Sequence, residues 1–240
     1  MQHLADIHTH ILPGIDDGAK TLDDALAMLQ HAYSQGTRLV FLTPHYRGNF
    51  RAVTAQQRLS AAKELRHAAA VLLPELRLEL GTEIAYAPGF GEKLQLRELL
   101  SYAGGDYILL EFGDLTDKKT VLQGLEETLS CGFVPVVAHA ERVDCFRKGL
   151  SLLRQAVEMG ALIQLNADSV MGQWGGFFLR RWCDRALKEG LVHFIASDAH
   201  DLQHRPPELR RCYSHICKQY GEEYANALFW ENARLLLPEE

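Results

Sequence analysis

The chain has 240 residues, of which 47% are hydrophobic and 23% charged, and its formal net charge at pH 7 is −6. That acidity excludes a general nucleic-acid binder, whose footprint is basic, and no apolar stretch approaches the roughly 20 residues that cross a bilayer. The opening MQHLADIH lacks a basic region followed by an apolar run, so no secretory signal and no membrane insertion are expected. Five scattered cysteines (Cys131, Cys145, Cys183, Cys212 and Cys217) form no C-x-x-C pair, which predicts reduced thiols in a cytoplasmic protein. None is followed six positions later by arginine, so the Cys-x5-Arg loop of cysteine-dependent phosphatases is absent.

Short β-rich runs at 4–8, 38–43, 76–83, 106–111, 134–139, 161–166 and 191–196 alternate with stretches of helical period. Within 22–35, Leu22, Ala25, Leu26, Leu29 and Ala32 share a face, and 54–73 has a similar stripe behind a candidate N-cap, Thr54. Helices are also expected at 119–130, 150–159 and 178–189, each closed by a glycine (Gly132, Gly160, Gly190). About seven strand–helix units with no Pro/Ser-rich linker predict one domain over 1–240 with parallel strands joined by helical crossovers. A closed or nearly closed barrel is the leading arrangement, and an open doubly wound sheet the alternative.

The polar residues fall at the ends of these runs. The first ends in Asp6-Ile-His8-Thr-His10, and in a strand residues i and i+2 share a side, so His8 and His10 can reach one point. Later runs end in His45, Glu83, Glu111, His139-Ala-Glu-Arg142, Asn166 and Ser197-Asp198-Ala-His200. In a β/α barrel such ends converge on one face. Any one of these histidines alone is more often a hydrogen-bonded structural residue, and Asp17 alone could be a turn residue. Five histidines and at least three carboxylates together predict two or three metal ions, and carboxylate plus imidazole without thiolate suits manganese, iron or zinc in a hydrolytic site. Arg142, Arg205 and, more weakly, Arg47 stand beside these candidates as a phosphate clamp, with solvated loop charge as the plain alternative. Asp6 is expected to orient a histidine ring. His3, His31, His67, His193, His204 and His215 are assigned to surface or packing.

The stretches DIHTHILPGIDDG, TPHY, GTEIAY, LEFG, VVAHAER, IASDAH and RPP, in this order between residues 6 and 207, resemble the PHP (polymerase and histidinol phosphatase) family. Within it, the chain is similar to the manganese-dependent protein tyrosine phosphatases associated with bacterial capsule and exopolysaccharide synthesis. The resemblance implies a distorted (β/α)7 barrel of the PHP type with its metal site at the C-terminal ends of the strands. It implies three divalent ions, Mn2+ first, with iron and zinc as alternatives. One would be held by His8, His10, Glu83 and Asp198, a second by Glu83, Glu111 and His139, and a third by Asp17, His45 and His200. Arg142 and Arg205 match the arginines that hold the substrate phosphate. Gly113 stands where relatives often have serine, and the loop after His45 (YRGNFR) varies, so substrate preference is where this chain can differ.

The expected reaction is metal-assisted hydrolysis of phosphotyrosine on the tail of a bacterial tyrosine kinase. A small-molecule phosphatase such as histidinol-phosphate phosphatase needs a similar ligand set. A non-catalytic regulatory domain is disfavoured by the full ligand set. An amidohydrolase usually wants a lysine after a mid-barrel strand, and no strand end offers one. Tyr46, Phe50, Tyr86 and Phe112 are candidates to flank a substrate ring, Phe112 being the one best assigned to the core.

Overall fold

The structure, a computed structural model, describes residues 3–47 and 52–238. Among them are nine strands: β1 (Leu4–Thr9), β2 (Thr37–Leu42), β3 (His45–Tyr46), β4 (Arg77–Leu80), β5 (Glu83–Ala85), β6 (Tyr107–Glu111), β7 (Val134–Val137), β8 (Leu162–Asn166) and β9 (Phe194–Ala196). The helices are α1 (Leu22–Ser34), α2 (Ala55–Leu72), α3 (Phe90–Gln95), α4 (Lys118–Ser130) and α5 (Asp144–Arg147). They continue with α6 (Ser151–Glu158), α7 (Ala167–Met171), α8 (Gly176–Lys188), α9 (Arg210–Tyr220) and α10 (Glu222–Asn226). The five long helical stretches expected from periodicity are α1, α2, α4, α6 and α8. Thr54 caps α2, and the glycines after α4, α6 and α8 sit at φ 86°, 102° and 67°. The shorter helices carry too few turns for a legible period.

All strand pairs are parallel, in the orders β1-β2-β4 and β3-β5-β6-β7-β8-β9. Nine strands stand where seven runs are expected, because β3 forms beyond the 38–43 run and the 76–83 run breaks in two at an aligned point. Pro44 has no N–H to give a ladder, so β2 ends before it and β3 resumes beyond it. The neighbouring run breaks at Gly81-Thr82 into β4 and β5. Hydrogen bonding carries across the break, from Gly81 N to Leu42 O at 2.9 Å and from Glu83 N to Pro44 O at 3.2 Å. A parallel bridge between Thr9 and Ala199 ties β1 to the segment after β9. The result is a curled parallel sheet with helices packed on its outer face.

The inner face explains where the polar residues go. Its lower layer is apolar, with Ile7, Phe41, Leu109, Val136, Phe194 and Ala196 in one cluster that Tyr102, Ala233 and Leu236 close from below. One step of the two-residue alternation further along, the same side becomes polar: Leu109 leads to Glu111, Leu162 to Gln164 and Asn166, Ala196 to Asp198. In β1 the register slips between Asp6 and Thr9, where three residues oppose two of β2. This bulge lets Ile7 belong to the apolar layer while His8 and His10 join the polar one. Outside the sheet, α1 buries Ala25, Met28 and Leu29 against Val40, Leu42, Leu78 and Leu80. Each buried Met, Leu or Val of this belt contributes about 1.5–3 kcal/mol, and the belt holds the strand ends in place.

Candidate metal centre

His8 and His10 define the innermost point. His8 Nδ1 donates to Gln164 Oε1 at 3.1 Å, and His10 Nδ1 donates to Asp16 Oδ2 at 2.7 Å. Both acceptors are fixed by backbone donors, Gln164 Oε1 by His139 N–H at 2.8 Å, and Asp16 by the N–H groups of Gly18 at 3.0 Å and His45 at 2.9 Å. The two rings therefore turn Nε2 inward, 3.2 Å apart. His8 Nε2 lies 3.2 Å from Glu83 and 3.4 Å from Asp198, and His10 Nε2 lies 3.5 Å and 3.3 Å from the same two carboxylates. With each Nδ1 donating outward, the two Nε2 atoms point at each other and at two buried anions, an arrangement that only positive charge at that point makes favourable. The pKa of His10 expresses that demand: burial pushes it down, but Asp16, Asp198 and Glu83 outweigh burial and raise it to about 10. A donor set of imidazole and carboxylate at this spacing fits a divalent cation.

The other selected side chains close around this point. His139 Nε2 is 2.9 Å from Glu83 Oε1 and 3.9 Å from Glu111, and His45 Nδ1 contacts Glu83 Oε2. Asp17 reaches His45 Nε2 at 3.3 Å and His200 Nε2 at 3.5 Å. Ligand atoms within 4.8 Å of one another group as His8, His10 and Asp198; His8, Glu83 and His139; His45, Glu83 and Glu111; and His10, Asp17, His45 and His200. All nine side chains singled out as metal ligands thus meet in one cluster. Burial favours the neutral form of Glu83 and of Asp198, but the surrounding histidines, with Arg205 and Arg142 for Asp198, hold both carboxyls well below the usual range. Burial, joined by His10, pushes His200 down to about 2, so this ring is neutral and able to ligate.

Backbone geometry marks the same positions. Asp198 and His139 sit at φ 55° and 29°, in the left-handed region where residues with a Cβ are strained. Gly18 is required for a different reason: a Cβ there would stand 1.8 Å from His10 O. The Asp16-Asp17-Gly18 turn lies directly on the end of β1, which is how Asp16 reaches His10 and Asp17 reaches His45.

A cavity of about 450 Å³ opens over the cluster, lined by Glu111, His139, Arg142, Trp174, Arg205 and others. Arg142 donates from Nη1 to Asp198 Oδ2 at 3.1 Å, and Arg205 donates from Nη2 to the same oxygen and from Nη1 to His200 Nε2 at 3.0 Å. Arg47 donates to Glu111 at 2.9 Å and to His45 Nε2 at 2.8 Å, so its guanidinium borders the cluster although the side chain is partly exposed. None of the five cysteines lines this cavity.

Three residues escaped the sequence reading. Gln164 and Asp16 orient the rings of His8 and His10, whereas Asp6 accepts from Ser197 N and Oγ and touches neither ring. The bulge in β1 takes Asp6 off the histidines' side. The signal for Gln164 was its place two residues before Asn166 on a buried strand. Trp174 is the aromatic group at the cavity, its ring 4.9 Å below the Arg142 guanidinium. Phe112 and Tyr46 are buried in the main outer core, and Tyr86 is half-buried against it, bonded to Glu127, so these three are packing residues. Phe50 and most of the loop after His45 lie outside the described residues.

Residues 4–238 match the family described as "Capsular polysaccharide synthesis, CpsB/CapC". The chain belongs to the CpsB/CapC family. It is 34% identical to the tyrosine-protein phosphatase CpsB of Streptococcus agalactiae serotype V over 240 residues, 98% of each chain. Crystal structures of YwqE from Bacillus subtilis and CpsB from Streptococcus pneumoniae, described as unique metal-dependent tyrosine phosphatases, include a chain that superposes with a TM-score of 0.89. That match has 33% identity and covers 98% of this chain and 94% of that one. The phosphotriesterase homology protein of Escherichia coli shares the fold alone, with a TM-score of 0.59 at 12% identity over 97% of both chains.

Proposed function

We infer that this member of the CpsB/CapC family is a metal-dependent tyrosine-protein phosphatase that hydrolyses phosphotyrosine without a cysteine nucleophile. The observation that carries the reading is the pair of inward-facing Nε2 atoms of His8 and His10, set against the carboxylates of Glu83 and Asp198 beneath two arginines. The metal ligands are His8, His10, Asp17, His45, Glu83, Glu111, His139, Asp198 and His200, at the C-terminal ends of the strands of a distorted (β/α)7 barrel of the PHP type. That barrel is one domain spanning residues 1–240. The ligand count suits three divalent ions, Mn2+ first.

Bound metal supplies positive charge against the phosphate and an activated water at neutral pH. The chain's own groups do the rest. Arg142 and Arg205 offer bidentate donors to the phosphate oxygens at the cavity mouth and turn from Asp198 to substrate when it binds. Gln164 and Asp16 keep the His8 and His10 rings in one tautomer. The leaving phenolate has a pKa near 10, so it needs less help from an acid than an alkoxide does. The half-buried and buried thiols suit a reducing, cytoplasmic setting. A substrate in keeping with capsule synthesis is the phosphotyrosine-bearing tail of a bacterial tyrosine kinase.

The test is to count metals in the purified protein and compare turnover of a phosphotyrosine peptide, a phosphoserine peptide and histidinol phosphate, each with and without chelator. The phosphotyrosine peptide is expected to be the best substrate and to lose turnover on chelation. Turnover that survives complete metal removal overturns the mechanism, and a preference for histidinol phosphate overturns the substrate.

A further inference from the structure

Helix α8 carries a feature that the phosphatase chemistry does not use. Its inward side is ordinary core, with Leu179, Trp182, Cys183 and Ala186 buried. Its outward side holds Arg180, Arg181, Arg185 and Lys188, all exposed, in a chain whose net charge is −6. These cations face His215 and Tyr220 of α9 across a groove of about 570 Å³. Among the described residues the only acid lining it is Asp184, already engaged by Lys188 at 2.8 Å and by the Tyr220 hydroxyl. Arg180, Arg181 and Arg185 have no ion-pair partner among the described residues. On this face Asp184 lies one turn from both Arg180 and Lys188, while Arg181 and Arg185 are a like-charged i, i+4 pair, so four cations share one acid and the face keeps a net positive charge. At the start of α8 two rings stand in solvent, Phe177 at 69% and Phe178 at 84% exposure.

The groove and the cavity over the candidate site are lined by neighbouring residues of one segment. Ala167, Asp168 and Trp174 line the cavity over the metal cluster, while Val170 and Phe177 of the same segment line the groove. One wall, α7 with the turn into α8, thus separates the two and borders both.

We propose that the groove between α8 and α9 docks an acidic segment of the phosphoprotein substrate that flanks the phosphotyrosine, with Phe177 and Phe178 taking apolar side chains between the two. Charge complementarity selects the partner, and the shared wall sets the direction in which the polypeptide leaves the cavity. A concave groove suits an extended chain better than a flat lipid surface. The proposal rests on the phosphatase reading for the identity of the substrate. Exposed pairs are individually weak and screened by salt, so three of them correspond to roughly a tenfold effect on affinity.

The experiment uses the whole chain with its metal and the triple variant R180E/R181E/R185E, in which every change lies on an exposed helix face. Fluorescence anisotropy reads the Kd of a labelled phosphotyrosine peptide with glutamate flanks and of its neutral-flanked counterpart, and turnover of phenyl phosphate reads the site. In the wild type the acidic peptide should bind about tenfold tighter at low salt, with the gap closing as salt rises. The triple variant should lose that preference while turning over phenyl phosphate within about twofold of wild type. Equal Kd values for the two peptides in the wild type, or a preference that survives in the variant, overturn the proposal. Cosedimentation with phosphatidylglycerol vesicles that is lost in the variant while the peptide preference stays intact also overturns it, assigning the face to a membrane. Phenyl phosphate left intact by the wild-type protein would instead sink the phosphatase reading, and the Kd values would still decide the groove.

Discussion

Gln164 fixes His8: the carboxamide oxygen accepts from the ring's Nδ1 at 3.1 Å and thereby dictates that Nε2 faces the cluster. The same side chain donates from Nε2 to Asn166 Oδ1 at 2.7 Å, and Asn166 Nδ2 donates to Asp198 at 2.8 Å. An apolar residue of similar size breaks this relay from ring to carboxylate and frees the His139 N–H, while every ligand side chain is kept. Gln164→Leu is therefore expected to weaken metal binding about 10- to 100-fold, in line with other groups that orient ligating histidines. Competition against a chromogenic chelator measures it. Unchanged affinity would mean that the His8 tautomer is set by something other than Gln164.

Gly18 makes a second, purely steric prediction. Its missing Cβ is what allows the Asp16-Asp17-Gly18 turn to rest on His10 O. In Gly18→Ala the turn must lift, taking Asp17 away from His45 and His200 and loosening Asp16 from His10. The purified variant is expected to hold about one metal fewer per chain and to lose turnover by two orders of magnitude or more, since small misplacements of a site are costly. Elemental analysis reads the metal count. A full complement of metal would show that the turn tolerates the displacement.

The residues that the sequence made legible and those it hid differ in a physical way. Histidines and carboxylates at the ends of β-runs stand out because nothing else explains charged groups after apolar strands. Gln164 and Asp16 do not, since a neutral amide in a strand and an acid in a glycine turn are each unremarkable locally. The bulge in β1 was invisible for a related reason: one extra residue changes which side Asp6 faces but leaves the apolar pattern intact. Strand β3, beyond the 38–43 run, was hidden because two residues after Pro44 are too few to show a period, and the split of 76–83 into β4 and β5 at Gly81-Thr82 is made by pairing with a distant segment. Trp174 went unnoticed since a tryptophan beside Gly172, Gly175 and Gly176 reads as loop until Arg142 is seen above it.

Arg142 and Arg205 both spend their donors on Asp198 Oδ2, so each partly covers for the other in holding that carboxylate. Their loss should differ for substrate. Arg205→Ala and Arg142→Ala are each expected to lower kcat/KM for a phosphotyrosine peptide by about 10²-fold or more, as for other groups that stabilise developing charge. Inorganic phosphate should also become a weaker competitive inhibitor. Metal content should stay near that of the wild type. If phosphate inhibition is unchanged in both variants, the arginines serve the carboxylate and not the substrate.

Trp174 adds a geometric constraint on one of that pair, its ring lying 4.9 Å from the Arg142 guanidinium. A cation over an exposed indole contributes about 0.5–1 kcal/mol, enough to bias the arginine's orientation without anchoring it. Trp174→Ala is expected to reduce kcat/KM several-fold, with Trp174→Phe recovering most of the loss. An alanine variant as active as the wild type would leave Arg142 positioned by Asp198 alone.

His193, outside the cluster, gives a test of stability against pH. Burial lowers its pKa, and its Nδ1 accepts the Ile163 N–H at 3.1 Å, a bond that requires the neutral ring. The unfolded chain binds a proton at this residue near pH 6.5, while the folded chain resists it until lower pH. Between those two values the unfolded state holds more protons, so stability falls as the pH is lowered, with none of this loss above about 6.5. In His193→Gln the amide oxygen can keep the Ile163 bond and nothing titrates. Urea midpoints at pH 7.5 and 5.5, taken in chelator so that ligand protonation and metal release do not intervene, should therefore lie closer together in the variant than in the wild type. Other groups titrate alike in both proteins and cancel in the comparison. An identical drop in the two midpoints would mean that His193 is already accessible to protons in the folded chain.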